Sequence, residues 1–156
     1  MIFVTVGTNE ARFDRLLQAV ESFDGSDELV VQHGPSPVRP RGATCVDYLS
    51  FEQMTDHIRR ARVLIMHAGV GSVLAALGNG ARPLVVPRLK RFDEAVDDHQ
   101  VAFGRRLHEE GLVEFVEDPA DLVAAAARYE GSFAGQVGVE GRLVEELREF
   151  IRATSL

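Results

Sequence analysis

Short apolar runs and stretches of helical periodicity alternate along this chain. Four runs of strand length contain few polar residues, which is typical of parallel strands covered on both faces. The stretch after the first run places Phe13, Leu16, Leu17 and Val20 three and four positions apart, and this spacing predicts a helix. Strands that alternate with helices indicate an α/β fold, with a parallel sheet and helices on both faces. The four apolar runs are residues 1–6, 29–32, 62–66 and 83–86.

Weaker signals predict the remaining elements. Ser50 and Gln53 have the spacing of a capping box, which predicts a helix that runs to about residue 60. The Asp118-Pro119 pair predicts the start of another helix, because proline is well tolerated in a first helical turn. We also predict a strand at 44–48, helices at 71–79 and 97–110, a strand at 112–116, and a last helix with an apolar face formed by Val139, Leu143, Leu147 and Phe150.

Length and composition restrict the class of protein. A chain of 156 residues, with 46% hydrophobic and 26% charged residues, fits one globular domain over residues 1–156. The net charge of −7 argues against a nucleic-acid partner. The single cysteine, Cys45, excludes an internal disulfide and fits a reducing compartment. We expect neither a secretion signal nor a membrane-spanning segment, since no apolar stretch approaches about 18 residues.

The strongest candidate for chemistry is the segment that follows the run at 62–66. There His67 precedes two glycines, Gly69 and Gly71, and Ser72 opens the next predicted helix. A glycine turn between a strand and a helix leaves backbone N–H groups free at the positive end of the helix dipole, which suits a phosphate. The segment lacks the third glycine of a dinucleotide fingerprint and the lysine of a P-loop. A generic nucleotide-binding protein is therefore a weaker hypothesis.

Other polar residues follow neighbouring strands, so the same edge of the sheet should collect them. Each also has a purely structural interpretation. The glycines could simply form corners, His67 could be a buried hydrogen-bonded histidine, and the basic residues near position 90 could be solvated. The joint occurrence of these residues favours a site for a phosphorylated ligand with a polar group such as a sugar. The candidates are Gly7, Thr8, His67, Gly69, Gly71, Ser72, Arg88, Glu94, Asp98, His99 and Gln100.

The sequence contains no pattern for metal or covalent chemistry. The five histidines are isolated from one another, and no Gly-x-Ser-x-Gly nucleophile elbow is present. We therefore expect no metal and no cofactor, and we assign no catalytic residue.

Taken in order, several of these segments resemble a known family. The segments at 1–8, 13–17, 67–72, 87–88 and 97–100 are similar to the C-terminal domain of glycosyltransferase family 28. Its short single-domain members are donor subunits of two-component UDP-sugar transferases, in dolichol-linked glycan and bacterial exopolysaccharide synthesis. The resemblance covers roughly residues 1–115. It implies a Rossmann-like sheet that forms the C-terminal half of a GT-B enzyme.

The resemblance also implies roles for the candidate residues. Residues 69–72 would hold the diphosphate of a UDP-sugar, and Gly7-Thr8 would close the other side of the cleft. Arg88 would lie near the nucleobase, and Asp98, His99 and Gln100 would meet the sugar. The implied partners are a membrane-attached acceptor-binding subunit and a lipid-linked acceptor. The chain would then be cytoplasmic and peripheral to the inner face of the membrane through that partner.

Two positions depart from the family pattern. Ala75 stands where the family often has a glutamate that binds the ribose, and Ala95 stands where the exopolysaccharide subunits tend to have histidine. Glu94 is a possible substitute for the missing carboxylate. The leading hypothesis is an inverting glycosyltransferase donor subunit without a metal requirement. The alternative is a non-catalytic accessory subunit that stabilises a membrane-bound glycosyltransferase.

Overall fold

A computed structural model gives the fold of this chain and describes residues 1–129, 149 and 152. The predicted apolar face of Val139, Leu143, Leu147 and Phe150 lies outside the described residues. The strands are β1 (Ile2–Thr5), β2 (Leu29–Gln32), β3 (Thr44–Val46), β4 (Val63–His67), β5 (Leu84–Val86) and β6 (Glu114–Phe115). The helices are α1 (Asp14–Val20), α2 (Phe51–Arg60), α3 (Val70–Gly78), α4 (His99–Glu109) and α5 (Leu122–Arg128), with 3₁₀ turns at Lys90–Phe92 and Pro119–Asp121.

The six strands form one parallel sheet in the order β3-β2-β1-β4-β5-β6. Strand β2 pairs with one edge of β1, and β3 pairs with β2. The chain then returns, and β4 pairs with the opposite edge of β1. In the register of the sheet, Ile2 is paired with Leu29 on one side and with Val63 on the other. The strand order therefore reverses between β1 and β4, where parallel sheets of this class open a crevice at the carboxyl ends of their strands.

Helices cover both faces of this sheet, as the sequence predicts. Helices α1 and α5 pack on one face, where Leu16 and Leu122 are fully buried. Helices α2, α3 and α4 pack on the other face, where Val73 and Phe103 are fully buried. The capping box is confirmed, because Ser50 and Gln53 exchange side-chain and backbone hydrogen bonds. The fold class is therefore confirmed as α/β with a parallel sheet.

Side-chain hydrogen bonds hold the loops before two of the helices. Before α1, the Asn9 side chain accepts a hydrogen bond from the Ala11 N–H and stabilises a turn. Helix α4 begins at His99 instead of Asp97, since the Asp98 carboxylate accepts the Lys90 N–H at 3.0 Å and so holds the preceding loop. Strand β6 is also shorter than predicted. Among the described residues, no helix has both the length and the apolar character needed to cross a membrane.

Candidate functional site

A histidine ring lies between two glycines at the point where the strand order reverses. His67 ends β4, next to the end of β1, and a Cβ placed on Gly7 would lie 2.2 Å from its Nε2 atom. A Cβ on Gly69 would lie 2.1 Å from the Cε1 atom of the same ring. Gly7 also has a φ of +78°, which side-chain-bearing residues rarely adopt. Both glycines are therefore required by the imidazole that they contact.

The His67 ring contacts the candidate anion site through Ser72. Its Nε2 atom lies 3.1 Å from the Ser72 hydroxyl oxygen, while Nδ1 is buried without a hydrogen-bond partner. Burial, together with the positive charge of Arg88, lowers the pKa of His67 to about 3, so the ring is neutral near pH 7. An unpaired buried lone pair is less destabilising than an unpaired buried N–H group. The proton is therefore favoured on Nε2, beside Ser72, and the lone pair on Nδ1. His67 then donates to Ser72, whose own hydroxyl hydrogen stays available to a ligand.

The start of helix α3 supplies further donors at the same place. Gly69 is the N-cap residue and has no side chain to accept a bond from the first helical turn. The N–H groups of Val70, Gly71 and Ser72 therefore have no intrahelical acceptor. Gly71 is exposed, and a Cβ built there would meet no atom within 4 Å. An open helix terminus of this kind suits an anion, and anion binding at the turn stays a prediction.

Gln32, which is not among the predicted site residues, fixes the other side of the crevice. Its side chain is 1% exposed, and its Oε1 atom accepts hydrogen bonds from the Thr5 hydroxyl and from the Val6 and Gly7 N–H groups. Its amide nitrogen donates to the carbonyls of Gly7 and Asp47. The available signal was a single polar residue at the end of an otherwise apolar run. Gln32 holds the left-handed backbone at Gly7 in place beside His67.

Arg88 and Glu94 differ from the arrangement that the resemblance implies. The Arg88 side chain is fully buried, and burial lowers its pKa to about 10. Its guanidinium donates to the carbonyls of Val6, Ala11 and Glu94 instead of facing the crevice. Glu94 is also buried, and its carboxylate pairs with Arg15 at 2.9 Å. Both side chains therefore hold protein segments together in this structure.

Asp98, His99 and Gln100 lie at the start of α4, beside a cavity of about 440 Å³. His99 and Gln100 line this cavity, together with Asn9 and Asp97. The Gln100 side-chain oxygen accepts the Arg88 N–H at 3.1 Å, which leaves its amide nitrogen as the group for a ligand. Thr8 is exposed on the loop between β1 and α1. Within the described part of the chain, no group of three or more His, Cys, Asp or Glu side chains could hold a metal ion.

Curated relatives align with most of this chain. The UDP-N-acetylglucosamine transferase subunit ALG13 of Homo sapiens is 32% identical over 123 residues, which cover 70% of this chain. The Mus musculus protein of the same name is 34% identical over 122 residues, again 70% of this chain. The chain spans about one tenth of the length of these relatives, since the matches cover 10% of each.

Solved glycosyltransferases share the fold. CalG4, the calicheamicin glycosyltransferase, superposes with a TM-score of 0.60 at 18% identity, over 97% of this chain and 38% of its own. The glycotransferase of kitacinnamycin gives a TM-score of 0.57 at 19% identity, over 98% of this chain and 40% of its own. SnogD from Streptomyces nogalater gives a TM-score of 0.53 at 21% identity, over 96% of this chain and 38% of its own. These similarities show a GT-B-type Rossmann-like fold.

A family model covers most of the described sequence. Residues 1–130 match the model described as the glycosyltransferase family 28 C-terminal domain. The match includes β1, the turn at residues 67–72 and the loop that leads into α4. The chain therefore belongs to the glycosyltransferase family 28 C-terminal domain family.

Proposed function

We propose that this chain is the donor-binding catalytic subunit of a glycosyltransferase, which moves a sugar from a UDP-sugar to a lipid-linked acceptor. One observation carries the proposal: the Ser72 hydroxyl and three unpaired N–H groups meet at the open start of α3. The family membership and the names of the curated relatives support a UDP-sugar as the source of the anion. In this proposal residues 1–156 act as a single nucleotide-sugar-binding domain.

The diphosphate binds at residues 69–72 in the proposed reaction. When the acceptor hydroxyl attacks the sugar carbon, the bond to the diphosphate breaks and negative charge collects on the departing UDP. The helix N-terminus and the Ser72 hydroxyl donate to that charge, and such preorganised donors stabilise a transition state by several kcal/mol. Attack from the face opposite to the leaving group inverts the configuration at the sugar carbon. The base that takes the acceptor proton is not assigned to this chain.

The sugar occupies the cavity that His99 and Gln100 line, beside the loop that carries Thr8. Arg88 contributes through the loops it fixes and through its positive charge. The ribose is held without the glutamate that the family often provides, because position 75 is alanine. Glu94 is engaged with Arg15 and with the Leu89 N–H, so it does not replace that carboxylate in this arrangement. We therefore propose that this chain binds the nucleoside more weakly than family members that have the glutamate.

The acceptor is bound by a separate, membrane-attached subunit in this proposal. The chain's curated relatives are named as transferase subunits, and the family to which it belongs is described as a C-terminal domain. The chain would then work on the cytoplasmic face of the membrane, held there by its partner. On its own it would bind donor but transfer little or no sugar.

Calorimetric titration tests donor binding. The purified chain is titrated with UDP and with a panel of UDP-sugars, in parallel with a Ser72→Ala variant. We expect UDP to bind the parent chain and to bind the variant about tenfold more weakly, since one hydrogen bond to a charged group contributes about 1.5–3 kcal/mol. Equal affinity of both folded proteins for UDP would contradict the diphosphate assignment.

A transfer assay tests the enzymatic role. Sugar transfer to a lipid acceptor is measured for the chain alone and for the chain co-expressed with the membrane protein encoded beside it. Transfer by the pair but not by the isolated chain is the expected result. Full turnover by the isolated chain would overturn the two-subunit proposal. No turnover by either sample, across the UDP-sugar panel, would favour the non-catalytic accessory subunit, an alternative that Ala75 and Ala95 support.

A further inference from the structure

The cavity beside α4 is built from two loops that are distant in sequence. Its lining residues come from the β1–α1 loop and from the β5–α4 loop together with the start of α4. The first loop supplies Asn9 and Ala11, and the second segment supplies Asp93, Ala95, Val96, Asp97, His99 and Gln100. No strand contributes to this lining. The width of the cavity therefore depends on whatever fixes one loop against the other.

Arg88 is the first of two arginines that cross between these loops. It follows β5, and its guanidinium donates to the Ala11 carbonyl at 3.0 Å and to the Val6 carbonyl at 2.7 Å. The same group donates to the Glu94 carbonyl at 3.1 Å and lies 4.9 Å from the centre of the Phe13 ring. Arg88 thus joins the β5–α4 loop to the backbone of the β1–α1 loop.

Arg15 crosses in the opposite direction. It projects from the first turn of α1 to the Glu94 carboxylate at 2.9 Å and to the Pro87 carbonyl at 3.1 Å. Its guanidinium also lies over two aromatic rings, 5.6 Å from the centre of Phe13 and 4.9 Å from that of Phe92. The second residue of the ion pair, Glu94, is 3% exposed, so solvent screens this pair far less than a surface pair.

Glu94 connects the two arginines. Its carboxylate accepts from Arg15 and from the Leu89 N–H at 3.1 Å, while its main-chain carbonyl accepts from Arg88. An uncharged residue at position 15 would leave the buried Glu94 charge with fewer partners, and such a charge draws in water or moves towards it. A movement of Glu94 would carry with it the neighbouring residues Asp93 and Ala95–Asp97, which line one wall of the cavity.

We propose that the Arg15–Glu94 ion pair is a positioning device that sets the width of the cavity for the donor sugar and so determines which sugars fit. The contacts of Arg15 are with Phe13, Pro87, Phe92 and Glu94, and none is with the anion site at residues 69–72. The ion pair therefore affects binding of the sugar and not of the UDP moiety. The inference rests on the proposed function, because it takes the cavity to be the place of the sugar.

Calorimetric titration with UDP and with a panel of UDP-sugars tests this proposal on three variants. Arg15→Gln removes the positive charge, and Arg15→Lys keeps the charge but replaces the guanidinium with a smaller ammonium group. Arg105→Gln is the matched control. Arg105 pairs with Glu117 at 2.8 Å on the surface, where both side chains are more than half exposed. Thermal unfolding confirms that each variant is folded at the titration temperature.

We expect Arg15→Gln to bind the preferred UDP-sugar about tenfold more weakly and UDP less than about twofold more weakly, with a changed order of preference among the sugars. Arg15→Lys should restore part of the loss, and Arg105→Gln should match the parent. If UDP and the UDP-sugar weaken equally in Arg15→Gln, the pair is merely structural and the proposal is wrong. The proposal is also wrong if neither ligand is affected. A parent chain that binds neither UDP nor any UDP-sugar would instead overturn the proposed function, and the inference with it.

Discussion

The Nε2 atom of His67 lies 3.1 Å from the hydroxyl oxygen of Ser72, across the turn that joins β4 to α3. This contact connects the central strand of the sheet to the first turn of the helix whose terminus is open. Because the ring is neutral and wedged between Gly7 and Gly69, it holds the serine hydroxyl in one place without adding charge. The two glycines, the histidine and the serine therefore act as one structural unit.

Replacing Gly71 by valine should block the anion site while preserving the fold. Position 71 is exposed and has free space around a built Cβ, so the substitution creates no internal clash. The branched side chain would occupy the approach to the N–H groups of α3, and we expect UDP to bind at least about tenfold more weakly. Calorimetry measures the affinity. Gly78→Val is the control, since Gly78 is an equally exposed and uncrowded glycine of the same helix.

Replacing Gly69 by alanine should destabilise the fold through His67. The added Cβ would lie 2.1 Å from the ring, and forced overpacking typically costs about 1–3 kcal/mol of unfolding free energy. Urea denaturation measures the loss, with Gly71→Ala as the control in open space. In a His67→Ala background the same change at Gly69 should cost much less. If Gly69→Ala lowers the free energy of unfolding by the same amount in the His67→Ala background, the clash with the histidine ring is not the cause.

The stability of the protein should fall as the pH is lowered from neutrality, in part because of His67. Its pKa is about 3 in the fold and about 6.5 in an unfolded chain. Between these values the unfolded chain binds one more proton, so the stabilisation is complete above pH about 6.5 and decreases as the pH falls towards 3. We expect His67 to contribute a slope of up to about 1.4 kcal/mol per pH unit.

Urea denaturation between pH about 6.5 and about 5 measures that slope, in a range where most carboxylates remain ionised. The His67→Gln variant is the comparison, because it keeps a polar side chain but does not titrate. The parent should lose stability more steeply than the variant. Parallel slopes in the two proteins would refute a depressed pKa at His67.

A glutamate at position 75 should strengthen nucleoside binding. Ala75 lies on α3, is half-buried, and occupies the place where the family often has a ribose-binding glutamate. A carboxylate that accepts the ribose hydroxyls would contribute about 1.5–3 kcal/mol, which corresponds to at least about tenfold tighter binding of UDP. Calorimetry on Ala75→Glu checks this. Unchanged or weaker affinity in the folded variant would show that position 75 does not face the ribose.

Local patterns predicted much of the fold. The apolar runs locate β1, β2, β4 and β5, and the capping box at Ser50 locates the start of α2, because such signals depend on neighbours in sequence. The alternation of elements predicted the parallel sheet and, with it, the edge at which His67 meets Ser72. The start of α4 was predicted too early, because the Asp98 side chain holds the loop before it.

Long-range polar contacts could not be predicted in the same way. A sequence shows that Arg88 is basic, but not that its guanidinium turns inward to the Val6 carbonyl. Likewise, Gln32 is one polar residue in an apolar run, and its five hydrogen bonds depend on the loops that meet above β2. The pairing of Arg15 with Glu94 joins segments that no local periodicity relates.

The position of β1 in the middle of the sheet has a consequence for biosynthesis. Strand β1 is paired with β4, in a register that joins Ile2 to Val63, and pairings between segments so distant in sequence form slowly. The crevice also needs Arg88, which emerges later still. A nascent chain therefore has no place for a nucleotide until β1, β4 and Arg88 have all been translated. Ligand can favour the finished fold by mass action, but it cannot guide the early steps of folding.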